Sequence, residues 1–253
     1  MRGTHERSAG PVTSPATSTS GRTELPAPNE KRAAVRAMFD RIAPRYDRLN
    51  RLLTVGLDWR WREAALAAVA VGPQDLLVDV ACGTGDFLAI ARKRGARAIG
   101  VDFARRMLLH ASARKLGALV QGDAAALPLR DGCASVVSCG FALRNFVSVE
   151  PVFQELARVL VAGGRLVLLE VDRPQRAWLR AAHTFYFDHC VPRIGAWLSD
   201  REAYRYLPQS TVYLPPTEQL FEQLREVGFV QLERYVHGGG AAQRIIARRA
   251  GAE

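Results

Sequence analysis

The stretch 76–86, LLVDVACGTGD, constrains the fold of this chain more than any other. Four of its first five residues, Leu76, Leu77, Val78, Asp79 and Val80, are apolar, as in a strand buried on both faces of a parallel sheet. The run ends in Gly83-Thr84-Gly85, whose glycines let the backbone turn tightly and approach a ligand with no Cβ in the way. Phe87, Leu88, Ile90 and Ala91 then continue as a helical pattern. The glycines therefore sit at a strand-to-helix corner. That corner opens the crevice of a doubly wound α/β fold, where ligands lie beyond the carboxyl ends of the strands. A nicotinamide-dinucleotide fingerprint needs a third glycine three residues after Gly85, and Leu88 stands there. A short Gly-x-Gly followed by an acid suits a ligand whose polar part is an amino acid; the competing reading is a simple turn.

Downstream, strands and helices alternate, the mark of a parallel sheet with crossover connections. A helix from Asp86 to Arg94 ends at Gly95, and a strand over 98–101 ends at Asp102. A helix through Met107 and Leu108 follows, then strands over 118–121 and 134–138. A helix over 152–160, a turn at Gly163-Gly164 and a strand over 166–171 complete this part. After residue 214 come a helix near 218–227 and strands over 229–236 and 244–247. The short Gly238-Gly239-Gly240 turn makes these last two strands antiparallel neighbours.

Two regions stand outside the alternation. Residues 30–73 read as an N-terminal helical unit: Val35, Met38, Phe39 and Ile42, then Pro44, then Tyr46, Leu49, Leu52 and Leu53. A third helix begins at Trp59-Arg60-Trp61-Arg62, whose aromatic residues at helical spacing read as a packing face rather than a nucleic-acid surface. Residues 174–214 form an aromatic insert with Trp178, Phe185, Tyr186, Phe187 and Trp197, too long for an ordinary connection and expected to cover the substrate. Residues 1–29, rich in Ser, Thr, Pro and Gly, read as a disordered tail ahead of one domain over 30–253. The tail lacks the apolar core of a secretory signal.

Composition narrows the setting. Four cysteines with no Cys-x-x-Cys pair read as reduced thiols of a cytoplasmic protein, with no metal site. No run approaches a bilayer span. The net charge of +10 is spread as scattered arginines, without an RNA-reading motif.

Three strand ends carry candidate chemistry. Asp102 is placed to accept hydrogen bonds from a ribose diol, or to cap the next helix. Asp123 and Ala124 follow the third strand, where a carboxylate and a backbone amide can hold an adenine edge. Gly140-Phe141-Ala142-Leu143-Arg144-Asn145 follows the fourth; Arg144 and Asn145 supply a cation and an amide suited to an oxyanion. The alternative is that Arg144 pairs with a nearby carboxylate.

The corner resembles the first motif of S-adenosylmethionine (SAM) methyltransferases. Segments 38–62, 79–86, 140–145, 168–174, 186–195 and 200–210 together resemble the ubiquinone/menaquinone biosynthesis C-methyltransferases. The resemblance implies a Rossmann-like fold and SAM contacts at Thr84, Asp102, Asp123 and Ala124, beside Gly83, Gly85 and Gly140. It implies C-methylation of a demethylated polyprenyl hydroquinone, a demethylmenaquinol or ubiquinone precursor, with Arg144 and Asn145 stabilising the phenolate and Tyr46 closing over the methyl donor. Gly140 and Ala142 depart from the family's usual Ser/Ala and Gly, and AAQRIIARR (241–249) departs from its usual ending, so another phenolic substrate stays open. A non-enzymatic RNA-binding module is the alternative of another class. A lipid-tailed substrate implies peripheral membrane contact, expected through Arg176, Arg180 and Arg193 among the insert's aromatics. A homodimer is compatible with the sequence.

Overall fold

The computed structural model describes residues 28–172, 174–186, 189, 193 and 210–251. Seven strands form one sheet: β1 (Leu76–Val80), β2 (Arg97–Asp102), β3 (Ala118–Gln121), β4 (Ala134–Gly140), β5 (Leu160–Val171), β6 (Phe229–His237) and β7 (Ala242–Arg249). Their spatial order is β3-β2-β1-β4-β5-β7-β6. β1 pairs in parallel with both β2 and β4, and only β7 runs against its neighbours. The order reverses beside β1, so the crevice for a ligand opens at the end of that strand, where the glycine corner stands.

The helices cover both faces. They are α1 (Pro28–Ile42), α2 (Tyr46–Leu53), α3 (Leu57–Ala68), α4 (Asp86–Lys93), α5 (Arg105–Ala113), α6 (Glu150–Val159), α7 (Ala177–Phe185) and α8 (Thr217–Glu226). One face of the sheet packs Phe153, Leu156, Leu220 and Leu224 from α6 and α8. The other packs Leu66 of α3 and Leu88 and Ile90 of α4. A third cluster joins Val35, Met38 and Ile42 of α1 and Leu49 of α2 to Met107 of α5. Each such side chain contributes roughly 1.5–3 kcal/mol on full burial, enough to hold the N-terminal unit against the domain. Pro44 lies in a 3₁₀ turn (Ala43–Arg45) between α1 and α2, bending the path where a continuous helix would lose a hydrogen bond.

The boundaries depart from expectation in three places. α1 starts at Pro28, so the last two residues assigned to the tail are helical; residues 1–27 lie outside the described residues. The chain leaves α6 directly into β5, and Gly163-Gly164 is an irregularity within that strand rather than a turn before it. The register with β4 jumps there, from Ala134↔Leu160 to Val136↔Arg165. Gly163 takes φ +72°, and a Cβ on Gly164 would meet the Val161 carbonyl at 2.8 Å, so the excursion folds back on itself. Of the insert, α7 and a 3₁₀ turn (Thr211–Tyr213) are described, whereas Phe187, Trp197 and most of 200–210 lie outside the described residues.

Trp59 and Trp61 are half-buried packing residues. Trp59 donates its indole N–H to Glu63 at 2.8 Å and has Arg51 and Lys93 at 5.1 and 4.9 Å from its ring. Cys82, Cys133 and Cys139 carry free thiols.

Candidate cofactor and active site

Backbone geometry builds the corner. After β1 the chain takes left-handed conformations at Ala81 (φ +55°), Gly83 (φ +55°) and Gly85 (φ +89°). Such values are sparse for a residue with a Cβ, so Ala81 is strained, and strain of this kind concentrates at ligand sites. The turn is fixed by Cys82 N–H to the Val101 carbonyl (3.0 Å) and Gly85 N–H to the Cys82 carbonyl (2.9 Å). A Cβ on Gly83 would meet only the Tyr46 ring, at 4.0 Å. The backbone is thus open on that side, as a ligand lying against it requires.

Asp102 ends β2 beside this corner. Its two carboxylate oxygens accept N–H groups of Gly83 and Ala104, each at 2.8 Å. The carboxylate ties the corner to the loop before α5, whose N-cap position is Ala104 rather than Asp102, and it keeps further lone pairs. Burial pushes its pKa up to about 6 despite these hydrogen bonds.

A cavity of about 310 Å³ lies over the corner, within the size range of small-molecule sites. Gly83, Asp102, Asp123, Ala124, Gly140, Asn145 and Tyr46 all line it, so seven of the expected site residues are gathered on one wall system. Phe39, Phe103, Met107, Phe141 and Phe146 make the remainder largely apolar. A small polar recess adjoins it, lined by Tyr46, Arg62, Asp79, Thr84 and Asp86. Here Thr84 donates its hydroxyl to Asp47 of α2. Desolvation pushes the Asp79 carboxyl up to about 7, although Ser138 donates to it at 2.7 Å. Desolvation acts on Asp86 too, but Arg62, Arg51 and Arg114 hold its carboxyl below the usual range. Burial raises the Tyr46 phenol, which keeps it protonated at neutral pH as a hydrogen-bond donor.

Two expected residues are placed elsewhere. Gly85 faces α5: a Cβ there would meet Leu116 at 2.8 Å, so this glycine serves the turn and helix packing. Arg144 lines neither the cavity nor the recess. It is buried, paired with Glu170 at the end of β5, and donates to the Phe141 carbonyl at 2.9 Å and to the Ser210 hydroxyl at 3.2 Å. Its guanidinium pairs with a carboxylate 26 residues away, the arrangement that the sequence left open as the alternative to a cation facing the substrate. What Arg144 does is hold Phe141, a cavity residue at φ +59°.

Sequence reasoning missed Arg62, Asp79 and Asp47. Asp79 carried a signal, a lone carboxylate in an otherwise apolar strand; Arg62 and Asp47 carried none, since their partners are fixed only by how α2 and α3 pack. Gly140 leaves room for Phe87, whose ring would lie 2.7 Å from any Cβ at that position.

A switch-point crevice with a two-glycine corner, closed by a carboxylate at the next strand end, defines the class: a SAM-dependent methyltransferase. The ubiE/COQ5 methyltransferase family model matches residues 27–249, and the chain belongs to that family. It is 39% identical over 226 residues to a demethylmenaquinone methyltransferase of Roseiflexus sp. (strain RS-1), covering 87% of this chain and 95% of that one. It is 43% identical over 209 residues to the demethylmenaquinone methyltransferase of Deinococcus radiodurans, covering 79% and 86%. Among solved structures, a SAM-dependent methyltransferase of Thermotoga maritima shares the fold, with a TM-score of 0.61 at 20% identity over 85% of this chain and 99% of that one.

Proposed function

We propose that this protein methylates a ring carbon of a demethylated polyprenyl hydroquinone, in the manner of the demethylmenaquinone methyltransferases it resembles. One observation carries the reading: a single cavity joins the Gly83–Asp102 corner to Tyr46, Asn145 and a largely apolar lining. In this reading Asp102 holds the ribose of SAM, Asp123 and Ala124 the adenine edge, and the Thr84 recess the amino-acid end. Bound there, SAM supplies an electrophilic methyl group on its sulfonium sulfur.

The chain's own work is alignment and charge stabilisation. A phenolic hydroxyl, with a pKa near ~10, must lose its proton before the adjacent carbon attacks. The Asn145 amide is a preorganised donor for the resulting phenolate. Tyr46, protonated and lining both cavity and recess, closes the space between donor and ring. The apolar wall excludes water and fits the apolar side of a quinol. Arg144 acts through Phe141 and not on the substrate. The deciding experiment supplies purified protein and SAM with demethylmenaquinol or its ubiquinone-pathway counterpart. C-methylated quinol from either supports the reading, whereas transfer only to an unrelated phenol, or to none, defeats it.

Asp102 and Asp79 also predict a pH dependence. Both carboxyls are raised by burial, so the free protein binds more protons than the unfolded chain between about pH 4 and their folded values of about 6 and 7. Their contribution to stability is therefore present at low pH and is lost as pH rises through 6–7. A ribose diol and a cationic ligand favour the ionised forms, so SAM affinity should rise across the same window, with proton release measurable by calorimetry in buffers of different ionisation enthalpy. Asp102→Asn should weaken SAM about 10- to 150-fold, from loss of charge-assisted bonds worth roughly 1.5–3 kcal/mol. It should also flatten the lower part of the pH profile. Unchanged affinity in this variant would remove Asp102 from the site.

A further inference from the structure

The turn between α2 and α3 has features that the methyl-transfer site leaves unused. Leu52, Val55 and Leu57 are all exposed there, Val55 to 86%. Apolar side chains gathered in one turn mark an interaction surface, unlike those scattered singly. Val55 is also held at φ +52°, a conformation that a β-branched residue rarely adopts. The turn is braced from within. Thr54 donates its hydroxyl to the Asn50 carbonyl (2.7 Å) and bonds Asp58 (2.8 Å), while Gly56 N–H reaches the Arg51 carbonyl (2.8 Å). The apolar tip is presented by a fixed scaffold. The Tyr186 hydroxyl donates to the Leu53 carbonyl at 2.8 Å, which brings the end of α7, with exposed Phe185, beside the same turn.

The charges around this tip have one sign. Arg45 at the end of the 3₁₀ turn and Arg48 and Leu52 of α2 are all exposed, and Arg60, exposed too, follows Leu57 by three positions on α3. The residues between 31 and 62 that are both charged and exposed are arginines, with Asp40 and Asp47 half-buried. The three acids of that segment are engaged inward: Asp40 accepts the Arg106 N–H at 2.8 Å, Asp47 accepts the Thr84 hydroxyl, and Asp58 pairs with Arg51 and Arg62.

We propose that the α2–α3 turn docks on an anionic phospholipid surface, with Leu52, Val55 and Leu57 entering the headgroup layer and Arg45, Arg48 and Arg60 meeting lipid phosphates. An apolar tip ringed by cations fits that interface, whereas a nucleic acid would use the arginines and leave Val55 without a role. The proposal moves the contact away from the arginines of the insert. Arg180 donates to the Pro174 and Gln175 carbonyls (3.1 and 2.6 Å) and Arg193 to the His189 carbonyl (2.6 Å). Its purpose rests on the reading that the substrate is a bilayer-resident quinol, which the test separates from the surface itself.

The test is cosedimentation of the full chain with phosphatidylglycerol/phosphatidylcholine vesicles and with phosphatidylcholine alone. The expected result is binding to the anionic vesicles only, weakened by salt. Arg45→Gln/Arg48→Gln/Arg60→Gln should lower the partition coefficient about 100-fold, at roughly one basic residue's contribution each. Leu52→Ser/Val55→Ser/Leu57→Ser should also lose vesicle binding. Both variants should keep wild-type SAM affinity and wild-type turnover of a tail-less, water-soluble quinol, which shows that they are folded. Equal binding to neutral vesicles, wild-type binding by either triple variant, or binding to an RNA oligonucleotide but not to vesicles overturns the proposal. Vesicle binding through these residues without any quinol methylation would instead overturn the substrate reading and leave the surface standing. Methylation of the soluble quinol without vesicle binding would overturn the surface alone.

Discussion

Replacing Arg144 with methionine is expected to destabilise the protein by about 3–5 kcal/mol, because the change leaves the Glu170 carboxylate buried without its cation. Glu170 is 2% exposed and also accepts the Val171 N–H at 2.8 Å, so it has no ready route to water. At roughly 2–4 °C per kcal/mol for a chain of this size, the melting temperature should fall by about 6–20 °C. Glu170→Leu alone strands the arginine and should cost a similar amount. The double variant Arg144→Met/Glu170→Leu should recover most of the loss, since two apolar side chains need no pairing. Thermal denaturation of the four proteins closes the cycle. If Arg144→Met melts normally but turns over slowly, the guanidinium acts on the substrate and the ion pair is incidental. Its bonds to Phe141 and Ser210 argue for the first outcome, because they join the cavity wall to the end of the insert.

Asn145→Ala should lower kcat about 10²- to 10³-fold, the loss typical of one oxyanion donor. The amide lines the cavity and donates to the Phe141 carbonyl at 3.4 Å. SAM affinity should stay at the wild-type value, which separates a defect in chemistry from a defect in cofactor binding. Asn145→Asp is the sharper probe. It keeps the shape, removes the donor and sets a carboxylate near the developing phenolate, so its kcat should fall below that of the alanine variant. Normal kcat in Asn145→Ala would remove the amide from the reaction and leave the Tyr46 hydroxyl as the donor to test next.

Local chemistry made much of this protein legible before its structure. β1 was readable because a strand buried on both faces must be apolar along its length. The glycine corner was readable because few other residues reach φ values such as the +89° of Gly85. The reversal of β7 followed from the three-glycine turn, and the exclusion of a nicotinamide-dinucleotide fingerprint from the missing third glycine; SAM came with the family resemblance. These are properties of neighbours in sequence, or of periods shorter than a helix. The strand that begins at Leu160 was misread for the same reason: a glycine pair looks alike whether it ends a strand or bulges within one, and only pairing to β4 decides.

Everything that depends on distant partners waited for the tertiary structure. Thr84 meets Asp47 across 37 residues, and Arg144 meets Glu170 across 26. A guanidinium beside a strand end can face a ligand or a buried carboxylate, and its own sequence context is the same in both cases. Asp79 and Asp102 acquired pKa values near 7 and 6 only when the sheet and the N-terminal helices removed water from around them. The sequence by itself determined the sheet and the corner, because both are written in local backbone preference and burial period. The tertiary structure alone decided which charges face the ligand and which face one another, because Coulomb and desolvation energies depend on distances that no local pattern encodes.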